Sequence, residues 1–323
     1  MFMKKIFLVA CALGFLQLSG QQDVQFTQFM FNRIYYNPGV AGSGGAICIT
    51  GLHRSQWVGF EGAPVTQNIN ANIPINALHG GIGVSIVNDQ IGFFNNVSAD
   101  LMYAYQIQLP QGTLGIGLGG SFQNSGLSDA VWIPADFNPD PTNPGGFPDL
   151  ALPATDANGF QVDLTFGAYY SSETVWGGIS TTRVIESSAT VDNQFGTPTV
   201  FRNSRHYYIM GGYNWAIPGS NWELQPAVLT KVAAGSATVF DVNVMGVYNK
   251  KLWGGVTYRL QDAIGTMVGY QFSPAFRAGY SYDIATSPLS GSGSGSHEIM
   301  LQYCFKIEIP PRPKGRYRNI RFL

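Results

Sequence analysis

From residue 97 to residue 109 the chain alternates without a break. Val97, Ala99, Leu101, Tyr103, Tyr105, Ile107 and Leu109 fall on one side, and Ser98, Asp100, Met102, Ala104, Gln106 and Gln108 on the other. A period of two predicts a strand with one apolar and one mostly polar face. The run is longer than an ordinary globular strand and close to the roughly 9–11 tilted residues that cross a bilayer. The pattern recurs, and fourteen segments read as strands: 46–57, 64–73, 80–88, 96–109, 112–123, 159–171, 174–184, 203–216, 222–232, 237–249, 252–260, 263–271, 276–283 and 297–305. An even number of amphipathic strands is the signature of a bacterial outer-membrane barrel. The expected fold class is therefore all-β, a transmembrane antiparallel β-barrel of 14 strands.

The polar rows assign the interior. In the second segment Thr66, Asn68, Asn70 and Asn72 oppose Val65, Gln67, Ile69, Ala71 and Ile73; in the tenth, Asp241 and Asn243 oppose Phe240, Val242, Val244 and Tyr248; in the last, Glu298 and Gln302 oppose Ile299, Leu301, Tyr303 and Phe305. A Lys or Arg facing lipid costs about 2–4 kcal/mol at the midplane, and no Lys or Arg occurs between Arg54 and Arg183. The fifth segment carries Gly115, Gly117, Gly119 and Gly120, a nearly bare face that lets an inner segment approach closely. Connection lengths fix the orientation, because periplasmic turns are short and outer loops long. The long connections, 124–158, 185–202 and 284–296, are the fifth, seventh and thirteenth, so both ends of the barrel domain point to the periplasm. Loop 124–158 is rich in proline and acidic residues, and 290–296 alternates serine and glycine.

Composition agrees with this reading. Only 11% of residues are charged, 13% are aromatic and 40 are glycine, whereas a soluble surface carries about 25% charge. Lys4 and Lys5 precede an apolar stretch ending at Ser19 and Gly20, the layout of an export signal. Cys11 lies too early in that stretch for a lipidation box. The mature chain keeps 16 basic against 19 acidic residues, which excludes nucleic acid as a natural partner. The expected organisation is a signal peptide over 1–20, an N-terminal plug or docking segment over 21–45, the barrel over 46–305 and a basic periplasmic tail over 306–323.

Residues 21–45 are dense in aromatic and amide side chains, too polar for an anchor and too aromatic for a disordered tail. They suit a plug on the barrel floor or a docking surface for another protein. Gln25, Phe26, Thr27, Gln28, Phe29, Met30, Phe31 and Asn32, then Tyr36, Asn37 and Pro38 with Ala41, Gly42 and Ser43, resemble the PorP/SprF family of the type IX secretion system. The resemblance continues through Arg54, Ser55, Gln56, Trp57, Val58, Gly59, Phe60, Glu61, Gly62, Ala63 and Pro64, and returns at residues 295–301 and 321–323. Arg33 stands where the family commonly has proline, and Gly39 and Val40 where it has Ala and Tyr. The resemblance implies a non-enzymatic outer-membrane component that supports export or surface attachment of specific secreted proteins such as gliding adhesins. Its implied partners are outer-membrane lipid, the periplasmic and outer-membrane parts of the secretion machinery, and the secreted cargo. The alternative is a passive outer-membrane transporter with residues 21–45 as its hatch.

The candidate docking or plug residues are Gln25, Phe26, Gln28, Met30, Asn32, Tyr36, Asn37 and Pro38. At the first hairpin, Arg54 and Gln56 are expected to face inward and hold a polar network, with Glu61 or a lumen Asp as the partner of Arg54; Trp57, Phe60, Gly62 and Pro64 shape the turn. Cys48 and Cys304 begin the first and nearly end the last strand, so closure makes them neighbours, either as a disulfide or as two buried thiols. In the tail, Arg312, Lys314, Arg316, Arg318 and Arg321 form a basic docking candidate held extended by Pro310, Pro311 and Pro313. The four histidines lack metal-site spacing, Asp136, Asp140 and Asp149 follow no EF-hand pattern, and no serine stands in a hydrolase motif. No cofactor, metal site or catalytic residue is expected.

Overall fold

A strand inside a bilayer must find a partner for every backbone N–H and C=O, so a set of amphipathic strands is driven to close on itself. In the computed structural model, which describes residues 24–127, 157–191, 198–233, 236–287 and 293–305, that closure is complete. The strands are β1 (Ile47–Ser55), β2 (Val65–Ile75), β3 (Gly80–Ile91), β4 (Phe94–Leu109), β5 (Gly112–Leu127), β6 (Ala157–Ser171), β7 (Val175–Thr182), β8 (Ser188–Val191), β9 (Thr199–Arg202), β10 (His206–Tyr213), β11 (Trp215–Ala216), β12 (Trp222–Ala233), β13 (Val239–Tyr248), β14 (Leu252–Arg259), β15 (Ala263–Gln271), β16 (Phe276–Ala285) and β17 (Ser296–Phe305). Fourteen of them form a closed antiparallel barrel. Neighbours in sequence pair throughout, β10 pairs with β12, and β1 pairs with β17 to seal the seam. The two-residue β11 is an appendage on β12, and β8 and β9 form a separate hairpin in the connection from β7 to β10.

The alternation behaves as the sequence predicts. Outward side chains such as Ile69, Leu101, Ile116, Phe160, Ile179 and Val268 are exposed, whereas Asn68, Asn70, Ser85, Asp163, Asp241 and Glu298 are buried in the lumen. Tyr213, Trp215, Trp222, Tyr248, Tyr270 and Phe272 lie exposed at the short-turn end, the aromatic girdle expected at a membrane interface.

Strand ends shift from the sequence expectation in several places, the segment 203–216 divides into β10 and the two-residue β11, and the largest differences lie at the outer mouth. β3 to β6 run further outward, leaving Gly92 and Phe93 as a two-residue turn and joining Asn124–Leu127 with Ala157–Phe160 in one ladder. These ends lack strong alternation, and pairing with an already formed neighbour carries them on. The connection taken as loop 185–202 also contains the β8–β9 hairpin. Asp163 captures the backbone N–H groups of Ile185 and Ser187, and Gln161 Nε2 donates to the carbonyls of Ser187 and Phe201, folding the hairpin toward the outer mouth. Loop 128–156, including Asp136, Asp140 and Asp149, the signal segment 1–20 and the tail 306–323 lie outside the described residues.

The core of the molecule is inside the barrel. Residues 24–43 run through the lumen as a 3-10 turn (Phe29–Phe31), a single turn of helix α1 (Arg33–Tyr36) and a second 3-10 turn (Pro38–Val40). Phe26, Phe29, Met30, Ile34, Tyr36 and Val40 pack against inward Leu52, Tyr169, Tyr208, Leu229, Trp253 and Met300 in one apolar cluster. Residues 27 and 28 meet the outer ends of β16 and β17, and the chain descends from there to enter β1 at the short-turn end.

Candidate functional site

The lumen segment is seated by three sets of contacts, each supplied by inward positions of the wall. At the outer end, the Glu298 carboxylate accepts from the backbone N–H of Thr27 at 2.8 Å and of Gln28 at 2.9 Å. Thr27 Oγ1 donates to Asp283 Oδ2 at 2.6 Å. Arg54 ties these acids together, with Nη2 2.8 Å from Asp283 and Nη1 3.3 Å from Glu298. The row continues along the wall: Arg259 lies 3.7 Å from Asp283 and 2.7 Å from Asp241, and Lys231 lies 3.9 Å from Asp241. Arg54 on β1 faces both Glu298 on β17 and Asp283 on β16, and Arg259 on β14 faces Asp283 and Asp241, so each acid of the row has a base within 4 Å. Such pairs contribute little net stability once desolvation is counted, but their geometry specifies one register for what they hold.

Midway down, an amide ladder grips α1. Asn32 Nδ2 donates to Asn68 Oδ1 at 3.0 Å, Asn70 donates to Asn32 Oδ1, and Asn68 donates to Ser85 Oγ at 3.0 Å. Asn72 completes the row, accepting from the Gly42 N–H at 2.6 Å and donating to the Val40 carbonyl at 3.3 Å. Gln106 Nε2 donates to the carbonyls of Gly39 and Ala41 at 3.1 and 2.7 Å.

The third set is a glycine cradle. A Cβ on Gly117 would collide with the backbone of Pro38 and Gly39, one on Gly115 with the carbonyl of Gly39, and one on Gly81 with Gly42. Gly167 and Gly178 leave room for Asn37, whose Nδ2 donates to the carbonyls of Ala168 and Ile179 at 3.0 and 3.1 Å while Oδ1 accepts from Gly39 N at 2.8 Å. Backbone lies directly on backbone here, which only glycine permits. The bare face of the fifth strand therefore has its occupant.

Among the candidate residues, Phe26, Gln28, Met30, Asn32, Tyr36, Asn37 and Pro38 are buried in the lumen and Gln25 is half-buried there. The structure thus brings these side chains together inside the lumen. Arg54 faces inward, paired with Asp283 and Glu298 and not with Glu61, which is exposed on the outer turn. Gln56 lies past the end of β1, bonds to the Pro64 carbonyl through its backbone N–H, and takes no part in the network. Trp57 adopts a positive φ of 50° at that turn, its N–H donating to Ser296 Oγ, and the Val58 N–H reaches the Gly295 carbonyl. Gly59 and Gly62 also hold positive φ, and Phe60 is exposed. Cys48 and Cys304 face each other in the β1–β17 ladder and are joined by a disulfide. The tail residues Arg312, Lys314, Arg316, Arg318 and Arg321 lie outside the described residues.

Sequence reasoning did not single out Thr27, Asn68, Asn70, Asn72, Gln106, Asp283 or Glu298 as functional. Apart from Thr27, which belongs to the lumen segment, their shared signal is inward parity on a strand combined with a polar side chain, and that signal is legible only once something is known to occupy the lumen. Among the described residues, no group of three or more His, Cys, Asp or Glu side chains is placed to hold a metal.

The solved structures similar to this chain are outer-membrane barrels. They include the CymD monoaromatic hydrocarbon channel (9% identity, 90% of this chain and 95% of that one, TM-score 0.48) and Omp33 of Acinetobacter baumannii (10%, 82% and 100%, TM-score 0.41). The KdgM porin is a further example (9%, 80% and 99%, TM-score 0.37). No curated protein matches the sequence. The family model described as type IX secretion system membrane protein PorP/SprF matches residues 18–303, which include the lumen segment and nearly all of the barrel. The protein is an outer-membrane barrel associated with type IX secretion, and the chain belongs to the PorP/SprF family.

Proposed function

We propose that this protein is a non-catalytic accessory of type IX secretion that supports export or surface attachment of specific secreted proteins, gliding adhesins being one such class. The observation that carries the reading is the combination of the family match with a lumen filled by the chain's own residues 24–43. A transporter that used these residues as a hatch would have to release all of these contacts to open a path. Here the apolar cluster, the amide ladder and the charge row all serve to fix a plug, as suits a mount whose exposed ends meet other proteins. Components of the secretion machinery are the proposed partners, with the periplasmic face and the basic tail 306–323 as the surfaces through which they engage.

Affinity purification from crosslinked outer membranes, comparing the full chain with one lacking residues 306–323, tests this. The full chain is expected to recover periplasmic or outer-membrane secretion components, and the truncated chain fewer of them. Recovery of no envelope partner by either form would overturn the accessory role.

A further inference from the structure

Between the plug and the wall at the short-turn end lies a cavity of about 400 Å³. Its lining includes Arg33 from α1, Arg277 from β16 and the amides of Asn70, Asn72, Asn214 and Gln302. The two arginines differ from the other cations of the lumen wall described above. Arg54, Arg259 and Lys231 each have a carboxylate within 4 Å, whereas among the described residues neither Arg33 nor Arg277 pairs with one. Arg33 spends two donors inside the protein, Nε on the Met30 carbonyl at 2.8 Å and Nη1 on Tyr169 Oη at 2.9 Å, and its guanidinium lies 3.8 Å above the Trp176 ring. Arg277 lies 4.6 Å above the Phe31 ring and makes no hydrogen bond among the described residues. Both guanidiniums thus border one cavity from opposite partners, plug and wall.

We infer that this cavity is a binding site for a small dianionic oxyanion ligand entering from the periplasm. Aromatic rings under both guanidiniums hold their planes in place, and a planar fork with unspent donors is the group best suited to carboxylate or phosphate oxygens. Two like charges in a semi-enclosed space whose described lining holds no acid form an arrangement that an added dianion relieves. Asn72, Asn214 and Gln302 each spend one amide N–H within the protein and keep a second to offer. Because Arg33 belongs to the plug and Arg277 to the wall, the ligand would bridge the two and hold the plug more tightly. The inference is independent of the accessory role proposed above and requires only that the short-turn end face the periplasm.

Two sources share this chemistry, free phosphate and the carboxylates of an acidic peptide segment. The test is isothermal titration of the folded full-length protein in detergent with inorganic phosphate, succinate and the dipeptide acetyl-Asp-Asp-amide. At least one probe is expected to bind saturably. Arg277→Gln and Arg33→Gln should each weaken that binding about tenfold or more, and Arg277→Lys should restore part of it. Lys250→Gln, at an exposed turn on the same face, should leave it unchanged. Binding of succinate or the dipeptide alone identifies a carboxylate ligand, and binding of phosphate alone identifies a phosphate ligand; either supports the site. Arg277 anchors no part of the fold through hydrogen bonds, and heat-modifiable migration on gels verifies that each variant is folded. No saturable binding of any probe, or equal loss in the Lys250 and arginine variants, would overturn the inference.

Discussion

Replacing Glu298 by Ala removes the acceptor for two backbone N–H groups of the plug and one of the two carboxylates that face Arg54. Removing one partner of a buried ion pair costs about 3–5 kcal/mol, and each hydrogen bond to a charged group contributes about 1.5–3 kcal/mol. These terms overlap, since the same carboxylate makes all three contacts, and Asp283 remains to hold Arg54 at 2.8 Å. We therefore expect a loss of about 4 kcal/mol, confined to the outer end of the plug. The readout is amide hydrogen exchange, resolved to peptides covering Thr27 and Gln28. At about 1.4 kcal/mol per tenfold, exchange there should rise roughly a thousandfold if these amides open locally, while strand amides on the far side of the barrel keep their protection. Glu298→Gln keeps an acceptor oxygen but loses the charge, and should fall between Ala and the natural residue. If exchange at Thr27 and Gln28 in the Ala variant stays within tenfold of the unsubstituted protein, the carboxylate does not anchor the plug.

Gly117→Val should displace residues 37–42, because its Cβ meets backbone that cannot rotate away; overpacking of this kind costs about 1–3 kcal/mol, and exchange in that segment should rise accordingly. Gly120→Val is the control, since its Cβ meets only the Phe122 ring at 3.8 Å, and it should leave the plug protected. Cys48→Ser should lower unfolding stability by about 2–5 kcal/mol, measured in denaturant under oxidising conditions, and should release Cys304 for alkylation. If Cys304 in the unsubstituted oxidised protein is already freely alkylated, the seam is not bonded.

The barrel was legible because its physics is periodic. Lipid on one side and a polar lumen on the other impose strict alternation, and Val97 to Leu109 carries it openly; β15 spans the same residues, 263–271, in sequence and structure. The β8–β9 hairpin was not legible, because its residues, such as Ser188, Ala189, Thr190 and Val191, show no face against lipid and are held by side chains of a distant strand, Gln161 and Asp163. The glycine face of β5 announced a close neighbour without naming it. The partners of Arg54 illustrate the remaining gap. Parity placed Arg54 and Glu298 inside, but the choice among Glu61, Asp283 and Glu298 depends on which strands meet at the seam and on how far the first outer turn swings away. Arg33 stood out in the chain only as a departure from the family pattern and Arg277 not at all, and only the lumen geometry shows that one lies on the plug, the other on the wall, with no acid among the described residues lining the cavity between them.

In the function proposed above, this barrel carries its own plug and serves as a mount, not as an open pore. Single-channel recording of the purified full-length protein in planar bilayers distinguishes the two. No steady open conductance is expected from the unsubstituted chain, with openings appearing when the plug is loosened by Glu298→Ala or Gly117→Val. A steady, ohmic conductance from the unsubstituted protein, unchanged by either substitution, would contradict it.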